Sequence, residues 1–236
     1  MKNRKLKLYT NNPSDDWRIY KRKWSCITFD HPARFETLAM DPKKKEEIIK
    51  DLVKFKVGKE YYAKVGKAWK RGYLLFGPPG TGKSTMISAI ANFMNYDMYD
   101  IELTIIKDNN ELKRLLIATS SKSIIVIEDI DCSIDLTGTR KEKKDHVNKG
   151  KYSNIKENKV TLFGLLNFID GIWSACGGER IIIFTTNFVD KLDHAIIRRG
   201  RMDMHIEMSY CSYEAFKVLA KNYWDVESHD GLFPII

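Results

Sequence analysis

Long apolar runs are missing from this sequence of 236 residues. The longest, 124–127 and 181–184, are strand-sized. A membrane-crossing helix needs ~18 consecutive apolar residues, so no membrane span is expected in this chain. Cysteine is also scarce. Cys26, Cys132, Cys176 and Cys211 stand 35 or more residues apart, with no CxxC and no Cys/His pair at zinc spacing. That pattern excludes a disulfide framework and points to reduced, mostly packed thiols in an intracellular compartment. The first eight residues are basic but lack the apolar segment of a secretory signal, and no internal repeat is visible.

The net charge of +9 is unevenly spread. Residues 1–24 sum to +6 and residues 137–160 to +5, so the rest of the chain sums to −2. A sequence-specific DNA reader concentrates its basic charge on a presented helix or groove face. Here the charge falls in a tail and a loop while the body is nearly neutral, so no specific nucleic-acid partner is expected. The length and the 43% hydrophobic content suit one large domain or a domain and a half.

Along the chain, residues 1–23 read as a polar tail. Asp41-Pro42 is a good helix start, and Ile48, Ile49, Leu52 and Val53 continue it at helical spacing until Gly58. An alternation follows, with strands predicted over 73–76, 98–103, 124–128 and 181–185. Helices are predicted between and around them, over 84–93, 110–119 and 160–173, and a last one begins after Ser212. β-branched runs alternating with helices indicate a parallel sheet covered on both faces. Residues 132–159 have no apolar periodicity and read as an insertion loop.

Two motifs carry chemistry. Gly77, Pro78, Pro79, Gly80, Thr81, Gly82, Lys83 and Ser84 match G-x-x-x-x-G-K-[ST] between a predicted strand and a predicted helix. Glycines let backbone N–H groups converge on phosphate oxygens, and the helix N-terminus favours the anion. Lys83 is then expected at the β/γ-phosphates of ATP, Ser84 on Mg²⁺, and Thr85 near the α-phosphate. The second motif is an apolar strand that ends in Glu128, Asp129 and Asp131. Parallel strands bring their carboxyl ends to one edge, where ligands bind. One acid there holds Mg²⁺ through water and the next orients or deprotonates the attacking water. Consecutive strand residues point to opposite faces, so Glu128 and Asp129 are expected to have different tasks.

These segments, with Thr185-Thr186-Asn187 ending a third apolar strand and the run LDHAIIRRGRMD at 192–203, resemble the AAA ATPase family. The branch that contains the mitochondrial Rieske-protein translocase and its plant membrane-anchored relatives is the most similar. Tyr61-Tyr62 and residues 70–76, 164–171 and 209–211 carry that similarity. The resemblance implies an α/β P-loop NTPase of AAA type, with a five-stranded parallel sheet between helices and a truncated C-terminal helical lid. It divides the chain into a basic tail or remnant of an N-terminal domain at 1–28, an ATPase core at 29–210 and the start of a lid at 211–236. It implies that Asn187 senses the γ-phosphate, and that Arg198 and Arg201 reach the nucleotide of a neighbouring subunit in a homo-oligomeric ring. By position it gives Glu128 the metal side and Asp129 the water side, although most family members read Asp-Glu where this chain reads Glu-Asp.

The implied activity is ATP hydrolysis driving the remodelling or translocation of a protein client. The implied location is a mitochondrial or endoplasmic reticulum membrane, reached through an anchor outside this chain. Residues 104–108 hold neither the aromatic nor the glycine of a threading pore loop, which argues against pulling an unfolded polypeptide through the ring. The alternatives are a nucleotide-binding module with little turnover and a nucleic-acid-linked ATPase.

Overall fold

The computed structural model describes residues 4–13, 23–133, 160–171, 178–198 and 200–226. From residue 134 onward the expected insertion loop lies outside them, as do Trp173 at the end of an expected helix and the last ten residues of the expected lid.

Helix α1 (Pro42–Lys56) starts as anticipated, with the Asp41 carboxylate accepting from the N–H groups of Lys43 at 2.8 Å and Lys44 at 3.1 Å. After a short α2 (Lys59–Lys64), strand β3 (Lys70–Phe76) leads into α3 (Lys83–Met94), and β4 (Asp97–Ile101) leads into α4 (Asn109–Ile117). A reciprocal cap opens α4. Asp108 accepts from Glu111 N–H, and the Glu111 carboxylate accepts from Lys107 N–H. Strand β5 (Ser123–Ile127), short helix α5 (Ile130–Ser133), helix α6 (Leu162–Asp170) and strand β6 (Arg180–Thr186) follow. The chain then forms α7 (His194–Ile197), β7 (Met204–Glu207) and α8 (Tyr213–Trp224).

Strands β4, β5, β6, β3 and β7 lie in that order and are all parallel, which is the expected five-stranded sheet. Two further strands extend it. The stretch read as a tail holds β1 (Lys7–Asn11), which pairs parallel with β4, and β2 (Trp24–Thr28), which pairs antiparallel with β1 at the sheet edge. Four of the five β2 residues are exposed at the sheet edge, and the one buried residue of β1 is Asn11, so neither strand carries a buried apolar run. Two cysteines also depart from the packed reading: Cys26 on β2 and Cys211 before α8 are both exposed.

The inner strands are apolar on both sides because helices cover both faces. Leu74, Ile125, Ile127, Ile182 and Phe184 pack with α4 and α6. Their strand neighbours Tyr73, Leu75, Ile124, Val126, Ile181 and Ile183 pack with α1 and α3. Burial of each such side chain is worth ~1.5–3 kcal/mol, so strands and helices hold one another in register. At the start of β3, a Cβ on Gly72 would meet the Arg201 carbonyl oxygen at 1.9 Å. Glycine therefore lets the turn before β7 lie directly on β3.

Leu74 is fully buried on β3, between β6 and β7. Leu74→Ala should cost about 2–5 kcal/mol in urea unfolding. A loss below about 1 kcal/mol would mean that β3 is not packed from both sides.

Candidate active site

Strands β3, β5 and β6 are in parallel register, with Phe76 opposite Thr186 and Ile127 opposite Phe184. The residues that leave these strands therefore emerge side by side. The first is Gly77, whose φ of +140° is open to glycine and whose Cβ would meet the Met208 carbonyl oxygen at 2.1 Å. The loop turns back over the strand and enters α3 at Gly82, which has φ +92°. The first turn of α3 carries Lys83, Ser84 and Thr85, with Ser84 and Thr85 exposed and its backbone N–H groups directed outward from the helix end.

The side chains converge on this edge. The Lys83 ammonium donates to the carbonyls of Gly77 at 2.8 Å and Pro78 at 3.0 Å, and to Asn187 Oδ1 at 2.7 Å. Thr81 Oγ1 also donates to the Pro78 carbonyl, which braces the loop. Ser84 Oγ donates to Glu128 Oε1 at 3.2 Å. Asn187 Nδ2 donates to Asp129 Oδ1 at 3.3 Å, so Asn187 bridges the lysine and the second acid. Glu128 thus faces the serine while Asp129 faces the asparagine; both follow the end of β5, and Asp129 has a left-handed backbone, so strand alternation does not set their directions. Asp131 turns elsewhere and accepts from Thr186 Oγ1 at 2.6 Å.

This set of contacts links a glycine-rich loop, its lysine and serine, two acids and a polar residue at the ends of three parallel strands. The family model described as "ATPase family associated with various cellular activities (AAA)" matches residues 73–210. The chain belongs to the AAA ATPase family. A second model, the "At3g28540-like, AAA+ ATPase lid domain", matches residues 211–236, where α8 lies.

Among similar Arabidopsis thaliana proteins, AAA-ATPase ASD, mitochondrial, is 67% identical over 244 residues, covering 98% of this chain and 47% of that protein. AAA-ATPase At3g28510 is 68% identical over 246 residues, covering 97% and 45%. AAA-ATPase At3g28570, mitochondrial, is 66% identical over 227 residues, covering 96% and 50%. The chain spans about half the length of the curated relatives it matches.

Two residues assigned by resemblance to the AAA nucleotide site lie away from this edge. Arg198 and Arg201 precede β7, in the turn where Asp203 N–H donates to the Gly72 carbonyl at 2.8 Å. Gly72 and Gly77 are five residues apart along β3, which at the ~3.3 Å rise of a parallel strand is roughly 16 Å. Both arginines are bound to Asp170 on α6, at 3.2 Å from Arg198 and 2.5 Å from Arg201. Arg201 also donates to the Ala195 carbonyl, and its side chain is only 10% exposed, whereas that of Arg198 is 63% exposed.

Other features near this edge left no motif to find. A cleft of about 640 Å³ opens beside Gly80, Thr81 and Gly82, walled by His31, Pro32 and Ala33 on one side and Tyr210, Leu219 and Tyr223 on the other. Asn92 on α3 donates to the carbonyls of His31 and Ala33 at 2.9 and 2.8 Å, and Asn222 on α8 donates to the Thr37 carbonyl at 2.9 Å. Apolar and aromatic walls beside a phosphate loop suit a flat base. The sequence signal is only three short runs, separated by almost the whole core.

Asp100 on β4 was also passed over. Burial first, and then the charges of Glu128 and Glu102, push its carboxyl up to about 6. An acid with a higher pKa folded than unfolded destabilises the fold as pH rises from the unfolded value, here 3.8, through the folded one. Asp100→Asn should therefore raise the melting temperature of magnesium-free protein around pH 8, with the gain shrinking as pH falls below 6. An equal gain at pH 4 and pH 8 would rule out this origin.

Proposed function

We propose that this chain binds Mg·ATP on residues 77–85, hydrolyses it, and works in a homo-oligomeric ring that remodels or moves a protein client. The carrying observation is the pair of contacts at one sheet edge, Ser84 to Glu128 and Lys83 to Asn187 to Asp129. Lys83 neutralises the β/γ-phosphates, and the loop and helix N–H groups hold their oxygens. The hydroxyl of Ser84 and the carboxylate of Glu128 are hard oxygen donors within 3.2 Å of each other, which fits Mg²⁺ held by few protein ligands together with water and phosphate. When bound, Mg²⁺ draws off the charge that develops on the transferring phosphoryl oxygens. Asp129 accepts a proton from the attacking water or orients it, and Asn187 spans from that water to the γ-phosphate.

Arg198 belongs to this reaction in trans. At roughly 16 Å along β3 from the loop it is out of reach of its own nucleotide, and its side chain is the exposed one. Its permanent charge and fixed fork suit a neighbour's γ-phosphate. Arg201, held by Asp170 and the Ala195 carbonyl, keeps the turn in shape. The segment after β4 supports handling of a folded client in preference to threading, because Leu103 and Ile106 are buried in the core. No helix among the described residues is long and apolar enough to cross a membrane. Two relatives are named mitochondrial, which favours that location over the endoplasmic reticulum.

Lys83→Ala should lose ATP binding while keeping the parent melting temperature, since backbone geometry shapes the loop. Arg198→Ala should bind ATP normally and lose ~10³–10⁵ in turnover at concentrations where the parent assembles. Mixing the two variants should restore activity, because one supplies the pocket and the other the arginine. Full activity of Arg198→Ala by itself would overturn the ring mechanism, and retained ATP binding by Lys83→Ala would overturn the site.

A further inference from the structure

Strand β6 is almost wholly apolar until its last two residues, Thr185 and Thr186, which are both buried. A buried hydroxyl costs about 1–3 kcal/mol unless it is paired, and valine would serve the strand equally well. The hydroxyl of Thr185 is paired, and its partner is the backbone of the candidate catalytic acid: Asp129 N–H donates to Thr185 Oγ1 at 3.0 Å. Asp129 is also one of four described non-glycine residues with positive φ, at +46°. That left-handed conformation costs a non-glycine residue roughly 1–2 kcal/mol, so an interaction has to hold it.

The register supplies that interaction. Phe184 lies opposite Ile127, so Thr185 is level with Glu128, just where β5 ends and the chain turns into its left-handed residue. Thr186 does the parallel task on the next position, donating to the Asp131 carboxylate at 2.6 Å and accepting from Phe188 N–H at 3.0 Å. Two adjacent hydroxyls on β6 thus brace the acidic segment that leaves β5.

We propose that Thr185 is a positioning residue for ATP hydrolysis: its hydroxyl pins the Asp129 backbone in the left-handed conformation and so aims the carboxylate toward Asn187 and the attacking water. Without the acceptor the peptide relaxes toward an ordinary conformation, and the carboxylate swings off the line that joins it to Asn187 Nδ2. The inference rests on the reading of Asp129 as the residue that handles water. It concerns catalysis and not affinity, since none of the phosphate-loop contacts passes through Thr185.

The test compares Thr185→Val, which keeps shape and burial, with Thr185→Ser, which keeps the hydroxyl, and with Asp129→Asn. Thr185→Val should lower kcat by about 100-fold, the scale of a 1 Å misplacement, with KM and ATP affinity unchanged. Thr185→Ser should return kcat to within about threefold of the parent. Hydrogen exchange of the Asp129 amide should be faster in Thr185→Val and parental in Thr185→Ser. If Asp129→Asn abolishes turnover and Thr185→Val does not, the positioning role is wrong while the reading of Asp129 stands. If Asp129→Asn keeps parental turnover, the reading of Asp129 itself fails. Loss of ATP binding in Thr185→Val would make the role merely structural and overturn the proposal. If the parent shows no turnover, the exchange measurement decides alone, and equal exchange at Asp129 in parent and Thr185→Val overturns it.

Discussion

Strand β3 runs between β6 and β7, and both of its ends are pressed against other backbone. At one end Gly77 passes the Met208 carbonyl, and at the other Gly72 passes the Arg201 carbonyl, each too close for any Cβ. Fully buried packing on both faces keeps the strand from shifting to relieve either contact. The phosphate loop and the arginine turn are therefore fixed to the two ends of one rigid element. Parallel pairing with β6 and β5 then sets Asn187, Glu128 and Asp129 beside the loop, because strands in register finish together.

That arrangement separates the chemistry into two edges. The edge at Gly77 has the glycine-rich loop, Lys83, Ser84, the two acids and Asn187, while the edge at Gly72 has the arginines and their clamp, Asp170. On the proposed reading, binding needs one chain and the transition-state charge calls for a second. A heterologous contact between unlike faces closes into a ring when its rotation allows, which is the assembly that the proposed function uses. Within the nucleotide edge the control is finer. Hydroxyls on β6 reach across to the acidic segment that follows β5, so the strand that leads into Asn187 also contacts Asp129 and Asp131.

Much of this was legible in advance because it is local. The loop 77–85 declares itself by residue types at fixed spacing, and the β-branched runs at 124–127 and 181–184 leave little choice but buried parallel strands. The helix starts at Asp41 and Ser212 are local as well: each side chain accepts from an N–H two or three residues ahead. What could not be read depends on contacts distant in sequence. β1 pairs with β4, some 90 residues away for the Lys7–Asp97 contact, and β2 pairs with β1 at the sheet edge. The cleft walls at His31–Ala33 and Tyr210–Tyr223 meet only because Asn92 and Asn222 tie them to helices. Likewise, Thr185 reads as an ordinary strand residue until β5 is set beside it.

On the proposed function, the groups gathered at the ends of β3, β5 and β6 hold one Mg·ATP. A crystal structure of this chain with magnesium and a non-hydrolysable ATP analogue tests it most directly. The expected result is phosphates within residues 77–85, Lys83 at the β/γ oxygens, and Ser84 on the metal with Glu128 behind a water. It also includes Asp129 and Asn187 flanking the γ-phosphate and the base between His31 and Tyr223. An analogue bound away from the loop, or a metal held without Ser84 and Glu128, would contradict it.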